Sequence, residues 1–128
     1  KSGGGNHEHK FQKIKHIMES YKNMKFILMG DSGQHDPEIY SRIARDFPGR
    51  ILAIYIRNVS GMIRQRKVHE IAEKLQKIDI EMILVTDSET ASEHAIKKGF
   101  IQREELLNIR KSKKRDLSEK DHFLNPNQ

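Results

Sequence analysis

The chain has 128 residues, with 24 lysines and arginines against 18 aspartates and glutamates, a formal charge of +6 and no cysteine. That length fits one compact domain able to bury roughly two thirds of its unfolded surface. The missing thiols exclude disulfides and thiolate chemistry, so a metal would be held by oxygen or imidazole, and no apolar run approaches the roughly 20 residues of a membrane-spanning helix.

The positive balance inclines the chain toward anionic partners, whether phosphates, lipid surfaces or nucleic acid. Much of it sits in Arg110, Lys111, Lys113, Lys114 and Arg115. No aromatic residues interleave with these cations as single-strand binding requires, so nucleic acid is not favoured and the run reads as a solvated helix end. The sequence opens on Lys1 and has no apolar segment of the kind that directs export. We therefore expect a piece of a longer cytoplasmic protein, with peripheral contact to an anionic membrane.

Residues 1–9 are glycine-rich and polar and read as a flexible segment. Within them His7, Glu8 and His9 could hold a transition metal, but beside three glycines a mobile tail fits better. Phe11, Ile14, Ile17, Met18 and Tyr21 recur at helical spacing and predict a helix over 10–21. Lys10 would stand at its start, where the helix dipole favours anions; an anion held nearby would resolve the oddity.

The unbroken apolar run 26–29, ended by Gly30, has the length of a strand buried on both faces of a parallel sheet. Asp36, Pro37 and Glu38 then look like a helix start, with an oxygen-bearing cap, proline in the first turn and an early acid. Ile39, Tyr40, Ile43, Ala44 and Phe47 give that helix its apolar stripe, and Pro48 and Gly49 end it. A second strand follows over 51–56, a second helix over 62–78 and a third strand over 82–85. Helices over 91–98 and 102–115 complete the pattern, and 116–128 carries little periodicity.

Strands alternating with helices predict an α/β fold with a short parallel sheet flanked by helices, a Rossmann-like arrangement. The loops after the strand ends then share one edge, where such sheets bind ligands. Asp31, Ser32, Asp36, Arg57 and Asp87 would emerge there. Asp31 and Asp36 lie across one tight loop, and two carboxylates sharing a site need a cation or a proton between them. Mg²⁺ would fit, since it takes oxygen ligands and often uses one or two carboxylates. The plain alternative is that Asp36 caps a helix and Asp31 turns the chain, and spacing alone does not separate the two. Ser32 is a rival centre, because Gly-Asp-Ser after a strand occurs in serine esterases. Their Asp-x-x-His pair has no counterpart here, since Asp121 and His122 are adjacent, and Gln34 breaks a Gly-x-Ser-x-Gly elbow.

The stretches KFILMGDSGQHDPEIY (25–40), ARDFPGRILAIYIRNVS (44–60) and MILVTDSETASEHAIKKGFI (82–101) resemble the C-terminal half of the actin-patch-type phosphatidate phosphatase catalytic domain, within the haloacid dehalogenase-like superfamily. The likeness extends over 10–101, with 1–9 as a flexible segment and 116–128 as a tail around a partial domain over 10–115. It implies a three-layer haloacid dehalogenase-like fold and Mg²⁺-dependent hydrolysis of a phosphomonoester through an aspartyl-phosphate. It also implies Asp31 and Asp36 as metal ligands, Lys10 (with Lys13 second) as the lysine that offsets phosphoryl charge, and Ser32 and Arg57 as substrate-binding residues. The superfamily's Asp-x-Asp nucleophile pair is absent ahead of Lys10, so the isolated chain is expected to be inactive. The first strand is then expected to present an open edge, to be filled by the missing half of the domain or by a second copy. The competing expectations are a non-catalytic module for phosphate or anionic lipid and, more remotely, a serine esterase acting through Ser32.

Overall fold

In the computed structural model, which describes residues 2–32, 35–57 and 61–102, the apolar runs pair as three parallel strands, β1 (Phe26–Asp31), β2 (Ile51–Arg57) and β3 (Glu81–Val85). They lie in the order β1-β2-β3. The helices are α1 (Ser2–Ser20), α2 (Asp36–Asp46), α3 (Met62–Gln76) and α4 (Ser88–Lys97). The α/β, partly Rossmann-like class expected from the alternation is therefore present. Contacts divide the chain into two units, Lys1–Ser88 and Glu89–Gln128. The sheet and α1, α2 and α3 belong to the first.

Crossover helices α2 and α3 pack beside each other, α2 against β1 and β2 and α3 against β3. The core between them and the sheet is built from Ile39, Tyr40, Ile43 and Ala44 of α2, Val68 and Leu75 of α3, and Ile51, Ile54 and Ile56 of β2. Burying each isoleucine fully stabilises the fold by about 1.5–3 kcal/mol. β2 is central among the three described strands, and Ala53 and Tyr55, on the face opposite Ile54 and Ile56, are buried as well. β1 differs from the expectation of burial on both faces. It is half-buried throughout, with Met29 exposed, because it is an edge strand in this sheet.

α1 packs on α2 and contributes Phe11 and Met18 to the core. Two arginines fasten it. Arg42 of α2 stacks on the Phe11 ring at 3.6 Å and pairs with Glu8 at 3.2 Å. Arg50 donates to the carbonyls of Met18, Tyr21 and Met24 at 3.1, 2.6 and 2.8 Å. These carbonyls lie at and just beyond the end of α1, and a cation suits that end of a helix.

Residues 1–9 read as a flexible segment in the sequence, yet α1 begins at Ser2 and runs through Gly3–Gly5. Glycine disfavours helix by about 1 kcal/mol per residue. The contacts that hold the start of the helix come from His7, whose ring lies 3.6 Å from that of His35, and from Glu8. His7, Glu8 and His9 therefore belong to a helix and not to a tail. Lys10 accordingly lies inside α1, not at its start, which removes the dipole oddity. α3 ends at Gln76, two residues sooner than its apolar pattern suggests, and α4 starts at Ser88, three residues earlier. The helix expected over 102–115 and the tail 116–128 lie outside the described residues, apart from Gln102.

Candidate functional site at the C-terminal edge of the sheet

Parallel pairing brings the three strand ends level. Asp31 stands opposite Arg57, and Arg57 opposite Val85. In-register neighbours in a parallel ladder project from the same face, so Asp31 and Arg57 stand side by side at the edge where the β1–α2 loop begins.

Asp36 organises this loop, though not as the helix cap its position suggests. The cap residue is His35, whose side chain makes no capping bond, and Asp36 is the first residue of α2, followed by Pro37. Its carboxylate turns back toward the strand. Oδ2 accepts the Asp31 backbone N–H at 2.8 Å, and Oδ1 pairs with Lys10 Nζ from α1. Asp36 is 3% exposed. A buried carboxylate needs this combination of a cation and a backbone donor, because charge without partners is costly away from water.

Gly30 makes the approach possible. A Cβ there would stand 2.7 Å from Asp36 Cβ and from Tyr40 Cε2, and closer still to Asp36 Oδ2. Tyr40 completes the packing by donating its hydroxyl to the Met29 carbonyl at 2.9 Å. Burial and the neighbouring Asp36 charge push its phenol up to about 12.

A second clasp comes from α3. Arg64 Nε donates to the Ser32 carbonyl at 2.7 Å, and its two terminal nitrogens grip the Glu38 carboxylate at 2.9 and 3.1 Å. Burial alone would raise the Glu38 carboxyl, but the Arg64 hydrogen bonds and the Glu38 backbone N–H outweigh it and hold the carboxyl below its ordinary value. The Ser32 N–H donates to the Arg57 carbonyl at 3.1 Å. Ser32 is buried with both main-chain groups engaged, which suits a structural loop residue.

Lys10, Asp31, Ser32, Asp36 and Arg57 thus come together at one edge. Lys10, Asp36 and the Asp31 main chain are joined directly, and Ser32 is joined to Arg57. Arg57 adds an unsatisfied group: its Nε is buried with no hydrogen-bond partner among the described residues. A buried guanidinium nitrogen without an acceptor is rare and is suited to an anionic oxygen. Sequence reasoning missed Arg64, Glu38, Tyr40 and the packing role of Gly30. Only Gly30 had a visible signal, a residue without a side chain where an apolar strand meets two acids.

A divalent cation at Asp31 and Asp36 would meet oxygen donors alone, which fits a hard ion. A carboxylate offers about four lone-pair positions, and Asp36 commits two of them to Lys10 and Asp31 N–H, so it retains capacity for a further partner. Among the described residues no group of three or more His, Asp or Glu side chains gathers to hold a metal, so any such ion would complete its shell with water or substrate oxygen. Two cavities of about 340 Å³ open elsewhere, one beside Pro48, Gly49 and Asp79 and the other beside His69, Glu73 and Glu81, and neither includes a residue of this edge.

Comparison with known proteins points to the same stretch. Residues 1–58 match the family model described as the catalytic domain of phosphatidate phosphatase APP1. The chain is 46% identical to the Saccharomyces cerevisiae phosphatidate phosphatase APP1 over 61 residues, 48% of this chain and 10% of the yeast protein. It is 45% identical to an uncharacterised Schizosaccharomyces pombe protein over 42 residues, 33% of this chain and 7% of that protein. The aligned stretch is thus about a tenth or less of the length of these curated relatives. No solved structure matches.

Proposed function

We propose, starting from the match of residues 1–58 to the phosphatidate phosphatase APP1 catalytic-domain model, that this chain supplies one side of the active site of a Mg²⁺-dependent phosphatidate phosphatase. The observation that carries the reading is the junction of Lys10, Asp36 and the Asp31 main chain, with the unpartnered Arg57 Nε at the same strand edge.

In this reading Arg57 binds a phosphoryl oxygen of the substrate, satisfying its buried nitrogen. Lys10 lies beside the same edge and offsets negative charge on the phosphoryl group and on Asp36; a fixed cation of this kind favours a transition state in which phosphoryl charge develops. Arg64 and Tyr40 hold the loop and the first turn of α2 in place, so that Asp31 and Asp36 keep their spacing. Asp31 and Asp36 would hold Mg²⁺, which when bound supplies charge neutralisation at the phosphoryl oxygens. Hydrolysis through an aspartyl-phosphate also needs a carboxylate nucleophile and an acid/base group. No aspartate precedes Asp31 in this sequence, so both are assigned to a segment outside it, in line with the haloacid dehalogenase-like scheme.

Phosphate release from phosphatidate tests the reading in two settings. The isolated chain with Mg²⁺ should show no turnover, and robust turnover would overturn the assignment of the nucleophile elsewhere. In a full-length protein carrying this segment, Asp31→Asn, Asp36→Asn and Lys10→Met should each lower kcat by roughly 10²-fold or more. The aspartate variants should also need more Mg²⁺. Losses within about twofold, the ordinary scatter between neutral variants, would leave these residues without a catalytic role.

Arg57 Nε also favours a second reading, a non-catalytic module that binds phosphate or anionic lipid. Binding that fades steeply with salt and ignores Mg²⁺ supports this module, and binding that requires Mg²⁺ supports the enzyme.

A further inference from the structure

Met62 and Ile63 are the most exposed large apolar residues among those described, at 76% and 83%. They form the first turn of α3, which begins a few residues beyond Arg57 at the end of β2, and so stand at the same edge of the sheet as the candidate site. They are not strays from the core stripe. Wound at about 100° per residue, Met62, Ile63, Arg66 and Lys67 fall within one arc of about 140°. Val68, Ile71, Ala72 and Leu75, which pack into the core, fall on the opposite side.

Charge along the helix is graded. Arg66 and Lys67 are exposed, and neither side chain has an ion pair or hydrogen bond among the described residues. Arg64 is different, since Glu38 and Ser32 already occupy it. The first turn contains no acid, and its cap, Gly61, contributes no side chain. Acids on the solvent side begin with Glu70 and Glu73, about 12 Å or more beyond Met62 at 1.5 Å per residue, so the tip carries no acid, and the first of them lies one turn behind Arg66. The outer end of α3 is therefore apolar at its tip, cationic just behind and acidic only further back.

We infer that this end of α3 docks on an anionic lipid bilayer, with Met62 and Ile63 entering the interface and Arg66 and Lys67 meeting headgroup phosphates. The match is one of charge and polarity: apolar side chains with cations one turn behind suit a surface that is anionic outside and hydrocarbon within. The choice of a membrane as partner rests on the lipid-phosphate reading of the site, which needs its edge to face the bilayer that holds the substrate.

The test avoids the site itself by using vesicles of phosphatidylcholine with phosphatidylglycerol, which present anionic charge but no phosphomonoester. The sequence contains no tryptophan, so Met62→Trp introduces a single indole whose emission should shift to the blue on these vesicles and much less on phosphatidylcholine alone. Ile63→Trp should behave alike. Arg66→Glu combined with Lys67→Glu should weaken vesicle partitioning by roughly tenfold or more, since each cation near an anionic surface contributes at the level of a several-fold change. Met62→Ser with Ile63→Ser should abolish insertion while leaving thermal unfolding unchanged. Lys10→Met should bind these vesicles as the parent chain does, so loss of the catalytic reading and loss of docking are separable. An unshifted indole on the anionic vesicles overturns the proposal. So does a blue shift that appears without vesicles and grows with protein concentration, which would assign the patch to contact between copies.

Discussion

α2 and α3 hold equivalent places, each following the C-terminal end of a strand and both packed side by side on the sheet, yet their first turns are opposites. α2 begins with Asp36 and Pro37 buried and with acids in its first turn. α3 begins with Met62 and Ile63 in solvent, no acid and a glycine cap. The difference lies in what each strand end offers. Gly30 opens a notch for a carboxylate, and Lys10 arrives from α1 to neutralise it, whereas no comparable inward contact among the described residues draws Met62 and Ile63 into the core. One helix start is committed to internal order and the other is left to face outward.

The largest expected effect breaks the inward side. Gly30→Ala places a methyl against Asp36 and Tyr40, and overpacking of this kind costs roughly 1–3 kcal/mol, with the upper end expected because the clash includes a ring and a helix Cβ. Urea unfolding should show it as a lower midpoint. Lys10→Met should follow at about 2 kcal/mol, below the usual cost of breaking a buried pair because Lys10 retains contact with water. Tyr40→Phe removes one partly buried hydrogen bond and should cost about 1 kcal/mol.

Tyr40 also has an alkaline signature. Its folded value of about 12 lies above the usual 10, so the folded state holds the proton more tightly than the unfolded chain. Its contribution is complete below pH 10 and is lost as pH rises from there toward 12. Tyrosinate absorbance and unfolding followed together should move in that window, and the stability change should vanish in Tyr40→Phe.

A smaller effect lies at acid pH. Glu38 is depressed by Arg64, so its contribution is present above its unfolded value and is lost as pH falls through the folded one. Glu38→Gln should flatten that part of an acid-unfolding curve by about 0.5–1 kcal/mol, small because both partners remain partly in water. The outward side should respond least. Met62→Ser and Ile63→Ser should each stay within about 0.5 kcal/mol of the parent, as solvent-facing changes do. A loss above about 1 kcal/mol would show that the two helix starts are more alike than their burial indicates.

Much of this architecture is legible in the sequence because its signals are local. The apolar runs, the break at Gly30 and the Asp36-Pro37-Glu38 start mark β1, β2 and α2 within a residue or two. The start of α1 is not legible, since Gly3–Gly5 oppose helix and the contacts that favour it, His7 with His35 and Glu8 with Arg42, join residues 28 and 34 positions apart. Asp36 does stand at the head of α2, but the local logic of a cap does not explain it. A cap bonds its own helix, whereas this carboxylate reaches back to Asp31 and across to Lys10, 26 residues away. Arg50 and Arg64 carry no periodic or motif signature at all. Arg50's main-chain partners lie at and just beyond the end of α1 and Arg64's is Ser32 after β1, so each contact exists only once segments 26 to 32 residues apart have been brought together.

α1 is held like a beam supported at both ends. In its first half Glu8 and Phe11 meet Arg42, and at and beyond its end Arg50 gathers three carbonyls while its own carbonyl receives the Phe26 N–H at 2.8 Å. Lys10 sits within the first of these supports, between Glu8 and Phe11. The helix cannot tilt or slide without disturbing the first pair in the β1–β2 ladder, so the ammonium group has little play beyond the flexing of its own four-carbon stem.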